Sequence, residues 1–224
     1  MKAYWWKILA IVLLAYTITA GLLIDVPRLP ILNETIRGLF FHVTMWFGML
    51  LMLIVAVVYG VKHLRSGKLE DDDMAVEFTN AAILFGVIGI ITGMVWAKFT
   101  WGDFWTNDPK LNASAIGLLM YFAYLVLRNS LTDVYQRAKI SAVYSIFAFA
   151  VFIPLIFILP RLTDSLHPGN GGNPGFNAYD MDSNLRKVFY PAIIGWTLLG
   201  AWISTIRVRI RRLERNLEDK LINQ

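Results

Sequence analysis

The chain has 224 residues, 57% of them hydrophobic, with a mean hydropathy of +0.54. Only 17% are charged, below the quarter typical of a soluble domain, so lipid must solvate much of the surface. Cysteine is absent, which excludes disulfides, thiol redox chemistry and thiolate metal sites. The net charge of +5 raises nucleic acid as a partner only until its distribution is traced.

A bilayer span takes roughly 20 apolar residues. Stretches of that kind fall near 4–24, 38–61, 79–98, 113–129, 140–159 and 188–206, predicting an all-α membrane protein of six transmembrane helices in one domain, residues 1–224. Lys2 and Lys7 precede the first stretch. Its length and the lack of a clear small-x-small cleavage site favour a retained span over a signal peptide. Basic residues collect on the cytoplasmic side. Lys2, Lys7, Lys62, Arg65, Lys68, Arg128, Arg137, Lys139 and the tail's run from Arg207 to Lys220 share one side. They outnumber Arg28, Arg37, Lys98, Lys110, Arg161, Arg186 and Lys187 on the other by two to one. Both termini are therefore expected inside, and loop 99–112 outside.

Between the spans, "DVPRLPILNETIR" (25–37) is too polar to cross a membrane. The inner stretch "KHLRSGKLEDDDMAVE" reads as a solvated turn and the start of a helix, with His63 snorkelling at the inner surface. Gly89-x-x-x-Gly93 in the third span reads as a small-residue packing face without a functional role. The loop 160–187 contains "HPGNGGNPG", whose glycines and prolines forbid regular structure. The basic tail 207–224 spaces Leu213, Leu217 and Leu221 four apart, an amphipathic extension of the last helix. Attraction to anionic lipid accounts for its charge, with no need of nucleic acid; a partner helix is the other use for such a face.

Chemistry concentrates at the outer side. Two of the three histidines, His42 and His167, share it with "WGDFWTNDPKLN" (101–112); the third, His63, does not. Singly, His42 reads as a hydrogen-bonded polar residue between helices and His167 as a solvated loop residue. Together with Trp101 and Trp105 they supply what a flat apolar cofactor with a metal requires. Haem answers that description: its iron takes imidazole on each face and its propionates seek cations at the water boundary. An ordinary aromatic belt would not need Trp101 and Trp105 so tightly spaced around Gly102 and followed by Asn107 and Asp108. Gly102 removes a side chain where a ring would approach, and Asp108 is suited to cap the next helix.

"WGDFWTNDPKLN" resembles the W-G-x-x-W-x-W-D signature of the WWD-domain haem-handling membrane proteins, closest to the cytochrome c maturation protein C (CcmC) type. "RGLFFHVTMW" at 37–46 is similar to that family's Arg-x4-His stretch, and "SLHPG" at 165–169 to its Leu-His-x-Gly loop. The resemblance implies that His42 and His167 ligate haem iron from opposite faces. It also makes Trp101 and Trp105 a shelf, and Arg37 and Lys110 partners of the propionates. Asn107 stands where the signature has a tryptophan, leaving a smaller and more polar shelf.

The function so implied is cytochrome c biogenesis. The chain would bind haem b transiently and without a covalent bond at the outer face of the cytoplasmic (inner) membrane. It would pass the haem to a periplasmic haem chaperone, with ATP-binding-cassette exporter subunits and a small membrane subunit as partners. No G-x4-G-K-[ST] motif is present, so ATP hydrolysis belongs to a partner; no nucleophile–base pair suggests an enzyme. "DPK" at 108–110 is also similar to the synthase (CcsA-like) branch, which attaches haem to the apocytochrome directly. A cytochrome b-like carrier fits poorly, since His42 and His63 lie at opposite ends of one helix, about 30 Å apart. A structural membrane subunit with merely interfacial aromatics is the remaining alternative.

Overall fold

The computed structural model describes residues 4–28, 31–167 and 181–222. It is all-α, with six helical segments long and apolar enough to cross a membrane. The helices are α1 (Trp5–Leu23), α2 (Val43–Ser66), α3 (Leu69–Trp101), α4 (Pro109–Asn129), α5 (Val134–Ile153) and α6 (Ser183–Ile222). The centre is the antiparallel pair α2 and α3, flanked by α5 and α6, with α4 on α5 and α1 on α6. Met45, Met49, Met52, Leu53, Phe85 and Tyr121 fill the core between them.

Local chemistry sets the helix ends. Gly67 closes α2 at φ 68° with its N–H on the His63 carbonyl, 2.8 Å, a left-handed cap that glycine adopts without strain. Asp133 caps α5 by accepting from the Gln136 N–H at 2.7 Å. Proline lacks the N–H that a helix ladder needs. Accordingly α5 ends before Pro154 and loosens into a π turn, Pro154–Ile158, and a short 3-10 turn, Leu159–Arg161.

The structure corrects several expectations. The loop 25–37 is partly ordered: Asn33–Phe40 is a 3-10 helix that buries Ile36, Leu39 and Phe40. The inner stretch does hold a turn and the start of a helix, α3, but three of its acids are not solvated: Asp72, Asp73 and Glu77 are buried. Buried carboxylates require partners. Arg128 of α4 grips Asp72 with two bonds, 2.9 and 2.6 Å. Arg207 and Arg211 of α6 take Glu77 at 2.5 and 2.7 Å, and Arg212 and Arg215 take Asp73. Much of the tail's basic charge is therefore matched within the protein. His63 does not snorkel; it is buried, and its Nδ1–H donates to the Lys68 carbonyl at 2.8 Å. The tail does extend the last helix, with Leu213, Leu217 and Leu221 exposed along it. The glycine-rich part of loop 160–187 lies outside the described residues.

Candidate functional site

At one end of the bundle the start of α2, the end of α3 and the start of α4 meet the segment that follows the 3-10 turn, and His42 and His167 are both there. His42 ends the 3-10 approach to α2, its backbone N–H bonded to Gly38 O at 2.7 Å. Its ring lies on α3. Nδ1 is 2.9 Å from the Gly89 carbonyl, which only accepts, so Nδ1 carries the proton and Nε2 the lone pair. Trp96 meets the ring edge-on, centroids 5.7 Å apart. His167 and Lys110 are within electrostatic reach of it.

Asp108 organises the rest. Its Oδ1 accepts from the N–H groups of Lys110 and Leu111, 2.9 and 3.2 Å, capping α4 at the turn where Pro109 needs no donor of its own. The same oxygen is 2.8 Å from His167 Nδ1. Oδ2 accepts from Ser165 Oγ at 2.8 Å and from the Leu166 N–H at 2.7 Å. One buried carboxylate thus joins a helix start to a segment 57 to 59 residues later. Burial alone would raise the Asp108 carboxyl. The bond from His167, their electrostatic attraction, and the Leu166 and Ser165 donors instead hold it well below the usual carboxylate range.

Trp101 packs edge-on against His167, centroids 4.8 Å apart. Trp105 is half-exposed and donates its Nε1–H to Asn112 Oδ1 at 3.2 Å; Asn112 in turn donates to Asn107 Oδ1 at 2.8 Å. Asn107, the departure from the tryptophan signature, is therefore the far anchor of Trp105. Gly102 has a different reason from ring approach: no atom lies within 4 Å of where its Cβ would be, and its φ of 92° requires glycine to end α3. Arg37 is engaged by the protein itself, donating to Glu34 at 2.8 Å and to the Gly21 and Ile24 carbonyls at 3.0 and 2.8 Å. Lys110 lies within electrostatic reach of Asp108 and Arg161.

Sequence reasoning missed Ser165, Trp96, Arg161 and the role of Asp108 beyond its cap. Ser165 had one usable signal, a hydroxyl two residues before the histidine, where it accepts the His167 N–H at 3.1 Å.

A family model described as Heme exporter protein C matches residues 1–223. The chain belongs to that family. It is 26% identical over 168 residues to Heme exporter protein C of Haemophilus influenzae, covering 74% of this chain and 65% of that one. Over 126 residues it is 24% identical to Heme exporter protein C of Escherichia coli K12, covering 56% and 49%. It is also 33% identical over 96 residues to the cytochrome c biogenesis protein CcsA of Parasynechococcus marenigrum, covering 41% and 32%. The matched stretches thus span two thirds or less of these relatives' own lengths.

Proposed function

We propose that this family member binds haem b at the tryptophan-loop end of the bundle, with iron between Nε2 of His42 and Nε2 of His167, and delivers it for cytochrome c biogenesis. The observation that carries the reading is that both imidazoles spend Nδ1–H on fixed acceptors of the protein, Gly89 O and Asp108 Oδ1. That arrangement fixes the tautomer and leaves Nε2 for a metal. The donor set suits the group: two imidazole nitrogens for iron, the Trp101 and Trp105 rings for the porphyrin, and Lys110 on the same side for a propionate. Arg37 is retained as a second propionate partner, which requires it to exchange one of its carbonyl bonds.

Haem is cargo in this reading, held by the chain without covalent attachment. His42 and His167 hold it axially, Trp101 braces His167, Asp108 locks the loop ligand to α4, and Gly102 lets the loop turn away from α3. Delivery needs capture that is reversible, which two exchangeable imidazoles at an open rim provide. The acceptor is a periplasmic haem chaperone, with ATP-binding-cassette exporter subunits and a small membrane subunit as companions. In this reading the chain lies in the cytoplasmic membrane with both termini inside and the haem site outside. The likeness to a CcsA protein favours one second reading, direct presentation of haem to an apocytochrome.

The test is the absorption spectrum of detergent-purified protein. His42→Ala and His167→Ala are each expected to deplete haem or change its axial signature, and His63→Ala to leave both unchanged. A spectrum altered only by His63→Ala would overturn the reading. Covalent cytochrome formed without a haem chaperone would favour the synthase role.

A further inference from the structure

The face of α3 against His42 repeats at 89, 92, 93 and 96, which is one stripe of a helix. Its groups meet the His42 imidazole at three points. The Gly89 carbonyl takes the Nδ1–H at 2.9 Å, Thr92 Oγ1 stands 3.4 Å from the same nitrogen, and Trp96 closes the edge. Gly93 is the element that makes this possible. A Cβ there would lie 2.6 Å from His42 Cε1 and 3.0 Å from Nδ1, well inside contact distance. In a helix each Cβ leans toward the N-terminus, so the side chain at i+4 overhangs the carbonyl of residue i. Glycine at 93 therefore uncovers the carbonyl of 89 to a second donor arriving from α2. At Gly89, by contrast, the missing Cβ makes room for Trp46, 3.0 Å from its Cε2.

We infer that Gly93, with the Gly89 carbonyl it exposes, is the positioning element for iron ligation by His42. It admits the ring to the surface of α3 and fixes the Nδ1–H tautomer that leaves Nε2 as ligand. The Gly89-x-x-x-Gly93 pair is thus more than a helix-packing face: one glycine seats a tryptophan and the other a ligand. This inference rests on the haem reading.

The test uses the full chain in detergent, titrated with ferric haem, with Gly93→Ala as the variant. Expected are a loss of the six-coordinate low-spin signature, matching that of His42→Ala, and an affinity lower by about ten- to a hundred-fold, as for loss of a metal-orienting partner. Gly86→Ala is the control on the same helix. Its Cβ meets the pliable ends of Met49 and Leu118, at 2.8 and 3.0 Å, so its axial signature is expected to stay that of the wild type. Should Gly93→Ala be too unstable to titrate, thermal unfolding of His42→Ala/Gly93→Ala decides. With the imidazole gone the second substitution is expected to add almost no further loss of stability. A full additional loss would mean that the crowding is not against His42, and would overturn the inference. If His42→Ala changes the spectrum while Gly93→Ala keeps the wild-type signature, the inference fails and the haem reading stands. If His42→Ala changes nothing, the haem reading itself fails.

Discussion

His167 Nδ1 sits 2.8 Å from Oδ1 of Asp108, the oxygen that also caps α4. The corresponding bond of His42 goes to a neutral carbonyl. The two proposed ligands are therefore unequal. A carboxylate draws the Nδ1 proton and raises the basicity of Nε2 more than a carbonyl does, making His167 the stronger donor to iron.

Asp108→Asn tests that effect. Asparagine is as good an N-cap as aspartate, but its amide turns one acceptor into a donor. Either the helix start with His167, or Ser165 with Leu166, then loses a partner. Haem affinity is expected to fall about ten- to a hundred-fold and the iron reduction potential to rise, because a neutral amide stabilises the ferric state less. Haem titration and potentiometry measure both; an unchanged potential would show that the carboxylate does not tune the ligand.

The same carboxylate sets a pH dependence. Its folded-state pKa lies below the ordinary carboxylate value, so its contribution to stability is complete above that value, about 3.9, and is lost as pH falls below it. The difference in melting temperature between wild type and Asp108→Asn is expected to shrink as pH falls below about 4. Thermal unfolding on either side of that pH checks the sign; a difference that grew on acidification would contradict it.

At the far end of the bundle the Asp72–Arg128 pair is buried on both sides. Removing one partner strands a charge, at a cost of about 3–5 kcal/mol, whereas replacing both with apolar residues is often near neutral. Arg128→Met is thus expected to be strongly destabilising and Asp72→Leu/Arg128→Met much less so. Unfolding in detergent would show this non-additivity, with haem binding by any folded double variant unchanged because the pair is remote from the proposed ligands.

That pair also marks where sequence reading stops. Spans, order of elements, and the shared side of His42, Trp101 and His167 follow from hydropathy and motif, which are local properties. The fate of Glu77 depends on Arg207, 130 residues away, and no local pattern announces such a partner. "LEDDDMAVE" therefore reads as solvated although Asp72, Asp73 and Glu77 are buried and matched. Gly93 shows the same limit: the spacing identifies a packing face, which the structure has, but not that the His42 ring would occupy it. Asp108 was legible as a cap because its helix follows at once, and illegible as the anchor of His167, which arrives 59 residues later.

Asn107 offers the remaining test, because it stands where the tryptophan signature has a ring and yet has a defined task. Its Oδ1 holds Asn112, and Asn112 holds the Trp105 indole N–H. Asn112→Leu keeps the branched shape of the side chain while removing both bonds, releasing Trp105 without touching the Trp101–His167 contact. If Trp105 covers the porphyrin, haem transfer to apomyoglobin as scavenger is expected to accelerate about three- to tenfold. That corresponds to the roughly 1 kcal/mol of one side-chain hydrogen bond, and the axial signature should stay unchanged because neither imidazole moves. An accelerated loss with an altered signature would instead place Asn112 in the support of His167, and an unchanged rate would remove Trp105 from the shelf.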